Sequence, residues 1–298
     1  MKQLNTNREI IALENGPLNP AKDSDILFIG SKTNVLAYDV DDNRDLFDRE
    51  VPEGVNTLTF GTFPLIGSPM VVVGGNCSIY GYDLRNDERF WTVTGDNARA
   101  LQFLDWDDDG EDELLVGSDD FYIRAFKQEE MIFEINEASK VQFLSRVNRS
   151  VFGYALNNGS YGVYYSRKRL WQQKGKDKIT SIVGVDFDLD GQMELVIGFS
   201  SGIIEARKHK TGEVIHKGVM GSSISKLFYN DFRMDGLPQV IGVDEEGHVK
   251  GMSLTRNVKQ FELEDDDGQA AVQNAFVDLN KQKIELMNNL DKMKEKKK

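Results

Sequence analysis

The sequence predicts an all-β fold: a β-propeller of six readable four-stranded blades, followed by a C-terminal coiled-coil α-helix. A short apolar run with glycine occurs six times, and successive copies begin 45, 43, 38, 43 and 45 residues apart. A second strand-like run begins 8 to 10 residues after the start of each first run. This period is that of propeller blades. The first runs begin at Asp25, Met70, Glu113, Val151, Glu194 and Gln239, and the second at Asn34, Ser78, Tyr122, Tyr161, Ile203 and His248.

Each pair of runs predicts a β-hairpin, because residues that favour tight turns lie between them, as at Ser201-Gly202 and Glu246-Gly247. An apolar run upstream of each pair, such as VNTLTF from Val55, supplies the innermost strand. A fourth strand carries an apolar or aromatic residue at a recurring point, which we interpret as packing between blades. These residues are Phe47, Trp91, Phe133, Trp171, Ile215 and Phe261.

Two other architectures fit the repeats less well. A parallel β/α fold needs amphipathic helices of about ten or more residues between strands, whereas the gaps here are acidic or glycine-rich. A single β-sandwich would be implausibly large for this number of strands. The propeller is therefore the predicted architecture.

The chain changes character after Phe261, which divides it into a propeller (1–263), an acidic linker (264–268) and a coiled-coil helix (269–298). The last segment contains neither proline nor glycine, and its apolar residues fit a heptad repeat. Lys283 at an a position disfavours self-pairing, so we expect a helix of another protein as its partner. The predicted partner-binding residues at the a and d positions are Val272, Phe276, Leu279, Lys283, Leu286, Leu290 and Met293.

The composition of the chain argues against several classes of partner and site. The formal net charge of -13 disfavours nucleic acid as a partner, because binding to phosphates depends on Lys and Arg. One cysteine, Cys77, excludes an internal disulfide, and together with three histidines it cannot form a tetrahedral Cys/His zinc site. The N-terminal residues lack the apolar core of a signal peptide, and no apolar run approaches the ~20 residues of a membrane span. Cytosolic residence without a direct membrane span is the simplest interpretation.

The most specific local motif is D-x-D-x-D-G-x-x-E, which occurs twice. Alternate carboxylates in a tight loop can converge on Ca²⁺, as in the loops between the inner strands of integrin-type propeller blades, although the ninth residue there is normally aspartate. The other interpretation is a solvated acidic turn whose aspartates accept hydrogen bonds from the loop backbone. Both interpretations stay open. The candidate metal ligands are Asp105, Asp107, Asp109 and Glu113, with Asp186, Asp188, Asp190 and Glu194 in the second copy.

A degenerate third copy at residues 231–236 has Arg233 where a ligand is expected, which shows that a blade can keep the turn without the full ligand set. No serine, cysteine or histidine lies in a recognisable nucleophile motif, and Gly74-Gly75 precedes a strand rather than opening a helix. We therefore expect no catalytic residues and no cofactor other than the candidate calcium.

Three stretches carry a resemblance to a known family: TNVLAYDVDDNRDLFDREV (33–51), VVGGNCSIYGYDLRNDERFWTVTGDN (72–97) and ELLVGSDDFYIRAFKQEE (113–130). They resemble the propeller of the Bardet-Biedl syndrome protein two family, whose members are subunits of the BBSome. The resemblance continues through residues 152–164, 200–217 and 231–236 and so covers nearly all of the predicted propeller.

The resemblance implies a non-enzymatic scaffold in a coat-like complex that traffics membrane proteins to and from cilia. It implies a cytoplasmic protein found at the cilium, the basal body and the periphery of the ciliary membrane. The expected partners are other BBSome subunits, first the paralogous protein seven through the coiled coil, and also protein nine. The family propeller has seven blades, so the resemblance also implies that this chain lacks the first blade and stops within the coiled coil. The alternative is a calcium-binding, integrin-like adhesion or ligand-binding propeller.

Overall fold

The computed structural model describes residues 6–252, except residues 20, 22, 23, 189 and 232–238. The described elements belong to one compact unit, Met1–Leu254. The predicted acidic linker, the coiled-coil helix with its partner-binding residues, and Phe261 lie outside the described residues. Within the described part, the structure has no helix with the length and apolar character needed to cross a bilayer.

The first three blades are four-stranded antiparallel sheets whose strands follow chain order from the innermost to the outermost. Blade one consists of β1 (Ile10–Gly16), β2 (Ile26–Ser31), β3 (Asn34–Asp39) and β4 (Arg44–Glu50). Blade two consists of β5 (Thr57–Gly61), β6 (Met70–Gly74), β7 (Ser78–Tyr82) and β8 (Glu88–Val93). Blade three consists of β9 (Ala98–Leu104), β10 (Glu113–Ser118), β11 (Tyr122–Lys127) and β12 (Glu130–Asn136).

The remaining blades repeat the same plan. Blade four consists of β13 (Val141–Asn148), β14 (Val151–Leu156), β15 (Ser160–Tyr165) and β16 (Lys168–Lys174). Blade five consists of β17 (Ile179–Val185), β18 (Glu194–Phe199), β19 (Ile203–Lys208) and β20 (Val214–Val219). Blade six has three strands in the described residues, β21 (Ile224–Asn230), β22 (Gln239–Asp244) and β23 (Val249–Met252). The predicted six-bladed, all-β propeller is therefore confirmed. The predicted fourth strand of blade six contains Phe261 and lies outside the described residues.

The core lies between consecutive blades. The first strand of each blade contacts the first strand of the next, from β1 to β21. Strands β6, β10, β14 and β18 are buried at every position because neighbouring blades cover both of their faces. This two-sided burial explains why their sequences are short continuous apolar runs rather than alternating patterns.

All five four-stranded blades share a β-bulge between their third and fourth strands. In blade one Ala37 pairs with Phe47 and Tyr38 with Asp45, so Leu46 is the extra residue. The extra residues in blades two to five are Arg89, Ile132, Leu170 and Ile215. Because a bulge shifts the register, side chains on either side of it cannot be assigned to a face by simple alternation.

The prediction that Trp91 packs between blades is wrong. Its side chain is 48% exposed, whereas the preceding Phe90 is 1% exposed and belongs to the core between blades two and three. Phe90 pairs with Gly81 in the same way that Phe47 pairs with Ala37 in blade one, so Phe90 occupies the position in blade two that Phe47 occupies in blade one. A one-residue offset along a strand moves a side chain to the opposite face of the sheet. The packing role in blade two therefore belongs to Phe90.

Candidate functional site: the acidic loops of blades three and five

The blade-three loop connects the end of β9 to the start of β10, and its aspartates accept hydrogen bonds from its own backbone. The Asp105 carboxylate accepts the Gly110 N–H at 2.9 Å, and that of Asp109 accepts the Glu111 N–H at 2.8 Å. Asp108 and Gly110 have positive φ angles of 68° and 96°. These contacts are those of an acidic turn stabilised by its own carboxylates.

Glu113, the ninth residue of the motif, is fully buried. Its Oε2 accepts the Trp106 N–H at 2.9 Å, whereas its Oε1 has no hydrogen-bond partner among the described residues. The Oδ1 of buried Asp105 also has none. Burial raises the pKa of Glu113 to about 7, and the nearby Asp107 and Asp109 carboxylates act in the same direction. Two buried oxygens without donors are an unfavourable arrangement that a cation would relieve.

The blade-five loop repeats this geometry between β17 and β18. The Asp186 carboxylate accepts the Gly191 N–H at 3.0 Å, and Glu194 accepts the Phe187 N–H at 2.8 Å. Glu194 is buried, and burial raises its pKa to about 7, with Asp188, Asp190 and Asp186 reinforcing the effect. The two loops thus share the same carboxylate positions and the same hydrogen bond to the ninth residue.

Three carboxylates converge in each loop. Single oxygens of Asp105, Asp107 and Glu113 lie within 4.8 Å of one another, and so do those of Asp186, Asp188 and Glu194. Asp109 and Asp190 do not belong to these groups, although both were candidate ligands in the sequence. A Ca²⁺ ion takes about six to eight oxygens, so these three would need backbone or water oxygens in addition. The donor set and the two unpartnered oxygens in blade three fit a hard divalent cation.

Sequence reasoning missed two basic residues at the blade-three loop. Lys127 Nζ lies 2.5 Å from Asp109 Oδ2, and Arg149 Nε lies 2.6 Å from Asp105 Oδ2. Lys127 ends β11 and Arg149 lies in the turn between β13 and β14, so both are distant from the motif in sequence. The sequence indicates only that Lys127 lies at the end of a strand, β11, that pairs with β10, the strand that contains the last residue of the motif.

The predicted partner-binding residues of 269–298 lie outside the described residues.

Comparison with known proteins extends the resemblance seen in the sequence. The family model "Ciliary BBSome complex subunit 2, N-terminal" matches residues 1–61, and "Ciliary BBSome complex subunit 2, middle region" matches residues 100–207. "BBSome complex member BBS2" of Danio rerio is 46% identical over 248 residues, which is 83% of this chain and 35% of the relative. The protein of the same name from Homo sapiens is 44% identical over 248 residues, 83% of this chain and 34% of the relative.

A relative in Caenorhabditis elegans, "BBSome complex member bbs-2", is 33% identical over 232 residues, 78% of this chain and 32% of the relative. The chain thus spans about a third of the length of these curated relatives. Among solved structures, BBS1N in complex with ARL6DN superposes with a TM-score of 0.67 at 13% identity, covering 83% of this chain and 78% of the other. The computationally designed Ika8 protein gives a TM-score of 0.62 at 17% identity, covering 84% and 72%.

The six blades and the two acidic loops define a β-propeller protein in which three carboxylates converge in the inner-strand loops of blades three and five. The structural neighbours support the fold alone, because their sequence identity is low. The two family models and the relatives in three animals agree on one family. The chain belongs to the family of BBSome complex subunit 2.

Proposed function

We propose that this chain is a non-enzymatic interaction subunit of the BBSome and takes part in trafficking membrane proteins to and from cilia. The observation that carries the proposal is the 44–46% identity to vertebrate BBSome complex members over 83% of the chain. The propeller would act as a rigid scaffold, because its blades bury their sheets between neighbours and leave their loops on the surface. It would work at the cilium, the basal body and the cytoplasmic side of the ciliary membrane.

The proposed attachment to other subunits is the coiled-coil segment 269–298. Its heptad places Leu286 and Leu290 at the centre of an apolar stripe, and Lys283 at an a position favours a partner other than a second copy. Protein seven of the Bardet-Biedl syndrome group is the first candidate partner, and protein nine is a further contact in the same assembly.

Co-purification of the chain with tagged protein seven tests this assignment. Leu286→Asp with Leu290→Asp should abolish recovery of the partner and leave the melting transition of the propeller nearly unchanged, since charges at core positions disrupt helix pairing. Asn274→Asp with Asn288→Asp adds the same charge at two f positions, which face away from the partner helix, and should leave recovery intact. Undiminished recovery from the leucine variant, or a tight homodimer of the parent in sedimentation, contradicts the assignment.

A second proposed function is calcium binding by the acidic loops, which the unpartnered buried oxygens of Asp105 and Glu113 favour. Binding to the folded state raises its stability, so millimolar Ca²⁺ should raise the melting temperature relative to chelator. Asp107→Asn with Asp188→Asn should remove that shift. Asp112→Asn is the control, because Asp112 lies in the blade-three loop but pairs with Arg146 at 3.2 Å. A parent protein that melts identically in calcium and in chelator contradicts calcium binding.

A further inference from the structure

One lysine lies among three carboxylates of the blade-three loop. Lys127 Nζ is 2.5 Å from Asp109 Oδ2, 3.4 Å from Glu111 Oε2 and 3.8 Å from Glu113 Oε1. The last of these oxygens is the buried atom that has no hydrogen-bond partner. Lys127 is an ammonium ion at neutral pH, because the ordinary pKa of a lysine is about 10.4.

A second cation reaches the same loop from the next blade. Arg149 Nε lies 2.6 Å from Asp105 Oδ2 and 3.2 Å from Asp108 Oδ1. The oxygen of Asp105 that Arg149 contacts also accepts the Gly110 N–H, whereas the other oxygen, Oδ1, has no partner. Arg149 therefore neutralises the buried Asp105 carboxylate through Oδ2, whereas Lys127 is the one cation among the described residues that lies within 4.0 Å of the unpartnered oxygen of Glu113.

The equivalent lysine of blade five, Lys208, pairs with a carboxylate outside the acidic loop. Lys208 ends β19 and pairs in the sheet with Glu194, so its position corresponds to that of Lys127. Its Nζ lies 4.0 Å from Glu213 Oε2 in the turn that follows. Among the described residues, no lysine or arginine forms an ion pair with Asp186, Asp188, Asp190 or Glu194. Lys210 reaches this loop, but it donates to the side-chain oxygen of Gln192 at 3.0 Å. Two loops with the same carboxylates thus differ in whether a lysine pairs with those carboxylates.

We infer that Lys127 is an internal counter-ion of the blade-three loop, and that a divalent cation can enter this loop only when the ammonium group leaves it. This rests on the proposed cation binding by the loops. The ammonium group lies 3.8 Å from Glu113 Oε1, and Glu113 is one of the three converging carboxylates. A Ca²⁺ ion held by this group would lie a few ångströms from the ammonium, and two like charges at that distance repel each other in a partly buried site. Lys127 therefore lowers the affinity of this loop for divalent cations, whereas Lys208 has no such effect in blade five.

Trp106 provides a readout for the blade-three loop in the full chain. It lies between Asp105 and Asp107, whereas the blade-five loop has Phe187 at that place. Tb³⁺ is a hard, oxygen-seeking cation that replaces Ca²⁺ and emits light when a nearby indole is excited. Trp171 contacts His209 near the blade-five loop and could also excite bound Tb³⁺. The part of the Tb³⁺ signal under tryptophan excitation that Trp106→Phe removes therefore reports on the blade-three loop, and this substitution copies the blade-five sequence.

Lys127→Met is expected to lower the Tb³⁺ concentration at half-saturation by about five- to tenfold, which corresponds to the loss of two or three partly exposed ion pairs. Competition with Ca²⁺ should show the same change. Lys208→Met is the matched control and should leave the titration unchanged. Lys127→Arg keeps the positive charge and should stay close to the parent, which separates loss of the counter-ion from a general effect of substitution.

The outcomes distinguish this inference from the calcium proposal on which it rests. Equal half-saturation for the parent and Lys127→Met, with a Trp106-dependent signal in both, overturns the counter-ion role and leaves cation binding standing. No Trp106-dependent signal in any variant overturns both. Melting in chelator shows whether Lys127→Met is folded, and if it is not, Lys127→Gln replaces it in the same titration with the same expected shift.

Discussion

Tyr164 donates a hydrogen bond to the carboxylate of Glu137 at 2.5 Å, across the boundary between blades three and four. Glu137 lies in the connection between β12 and β13, and it is buried. Arg169 completes the cluster, since its guanidinium donates to Glu137 at 2.6 Å and to the Tyr164 hydroxyl at 2.9 Å. Burial raises the pKa of Tyr164, and the hydrogen bond to Glu137 acts in the same direction, so the phenol stays protonated. A buried carboxylate with two donors thus connects consecutive blades.

Removal of this carboxylate should destabilise the propeller. Glu137→Ala leaves a guanidinium and a hydroxyl without their acceptor, which we expect to cost about 2–3 kcal/mol in the free energy of unfolding, because Arg169 remains partly exposed. Glu134→Ala is the control, since Glu134 is half exposed and lies 3.7 Å from Arg124, and it should change stability by less than about 0.5 kcal/mol. Urea unfolding measures both. Equal losses for the two variants would show that the cluster does not connect the blades energetically.

The exchanged roles of Phe90 and Trp91 also predict a difference in stability. Phe90→Ala removes a fully buried ring from the core between blades two and three and should cost about 3–4 kcal/mol. Trp91→Ala removes a larger ring that is half exposed, and we expect a loss of about 1 kcal/mol or less. Thermal melting of the two variants in the same buffer compares them directly. A larger loss for Trp91→Ala would mean that the tryptophan is the packing residue.

The repeat pattern predicted the six blades because buried inner strands are continuous apolar runs, which can be recognised without knowing their partners. The same reasoning placed Trp91 wrongly because the face of an outer-strand residue depends on the register with the third strand, and a bulge shifts that register. Lys127 could not be assigned to the acidic loop from the sequence, since their contact depends on how β11 pairs with β10. Convergence of side chains from separate strands requires the fold itself.

Two glycines in equivalent hairpin turns should differ in their tolerance of a side chain. Gly202 and Gly247 have φ angles of +79° and +83°, which disfavour any residue with a Cβ. A Cβ on Gly202 would lie 2.7 Å from the carbonyl oxygens of Met220 and Ser222, whereas one on Gly247 would have nothing within 4 Å. Gly247→Ala should therefore cost about 1 kcal/mol, the backbone strain alone, and Gly202→Ala about 2–3 kcal/mol, with steric overlap added.

Chemical denaturation of the two alanine variants measures the difference. Blade three shows that the turn can accept a side chain, because Phe121 occupies the corresponding position with a φ angle of +75°. The difference between the two variants thus isolates the steric part of the cost. Equal losses would indicate that the Met220 and Ser222 carbonyls move aside without cost.

The last prediction concerns the pH dependence of stability through Asp119. Burial acts to raise the pKa of Asp119, but hydrogen bonds from Arg99 at 2.9 Å and from Asn97 and Lys140, both at 3.1 Å, outweigh it and hold that pKa below its usual value. In the unfolded chain an aspartate titrates near about 3.9. The folded state therefore binds a proton less readily, so Asp119 contributes stability above about pH 4, and this contribution is lost as the pH falls through the folded-state pKa.

Asp119→Asn keeps the shape of the side chain and removes its charge, so it should cost about 1–3 kcal/mol at pH 7, where three donors lose an ionised acceptor. The difference in stability between parent and variant should begin to shrink as the pH falls below about 4, where the unfolded carboxylate takes up a proton, and should approach zero below the folded-state pKa, where the parent carboxylate is neutral in both states. Urea unfolding of both proteins between about pH 2.5 and pH 7 measures this difference, in which the titration of all other shared groups cancels. Asp45→Asn, at an exposed position, should show no such pH-dependent difference. A gap between parent and Asp119→Asn that stays constant over the whole range would show that the charge of Asp119 contributes nothing to the stability of blade three.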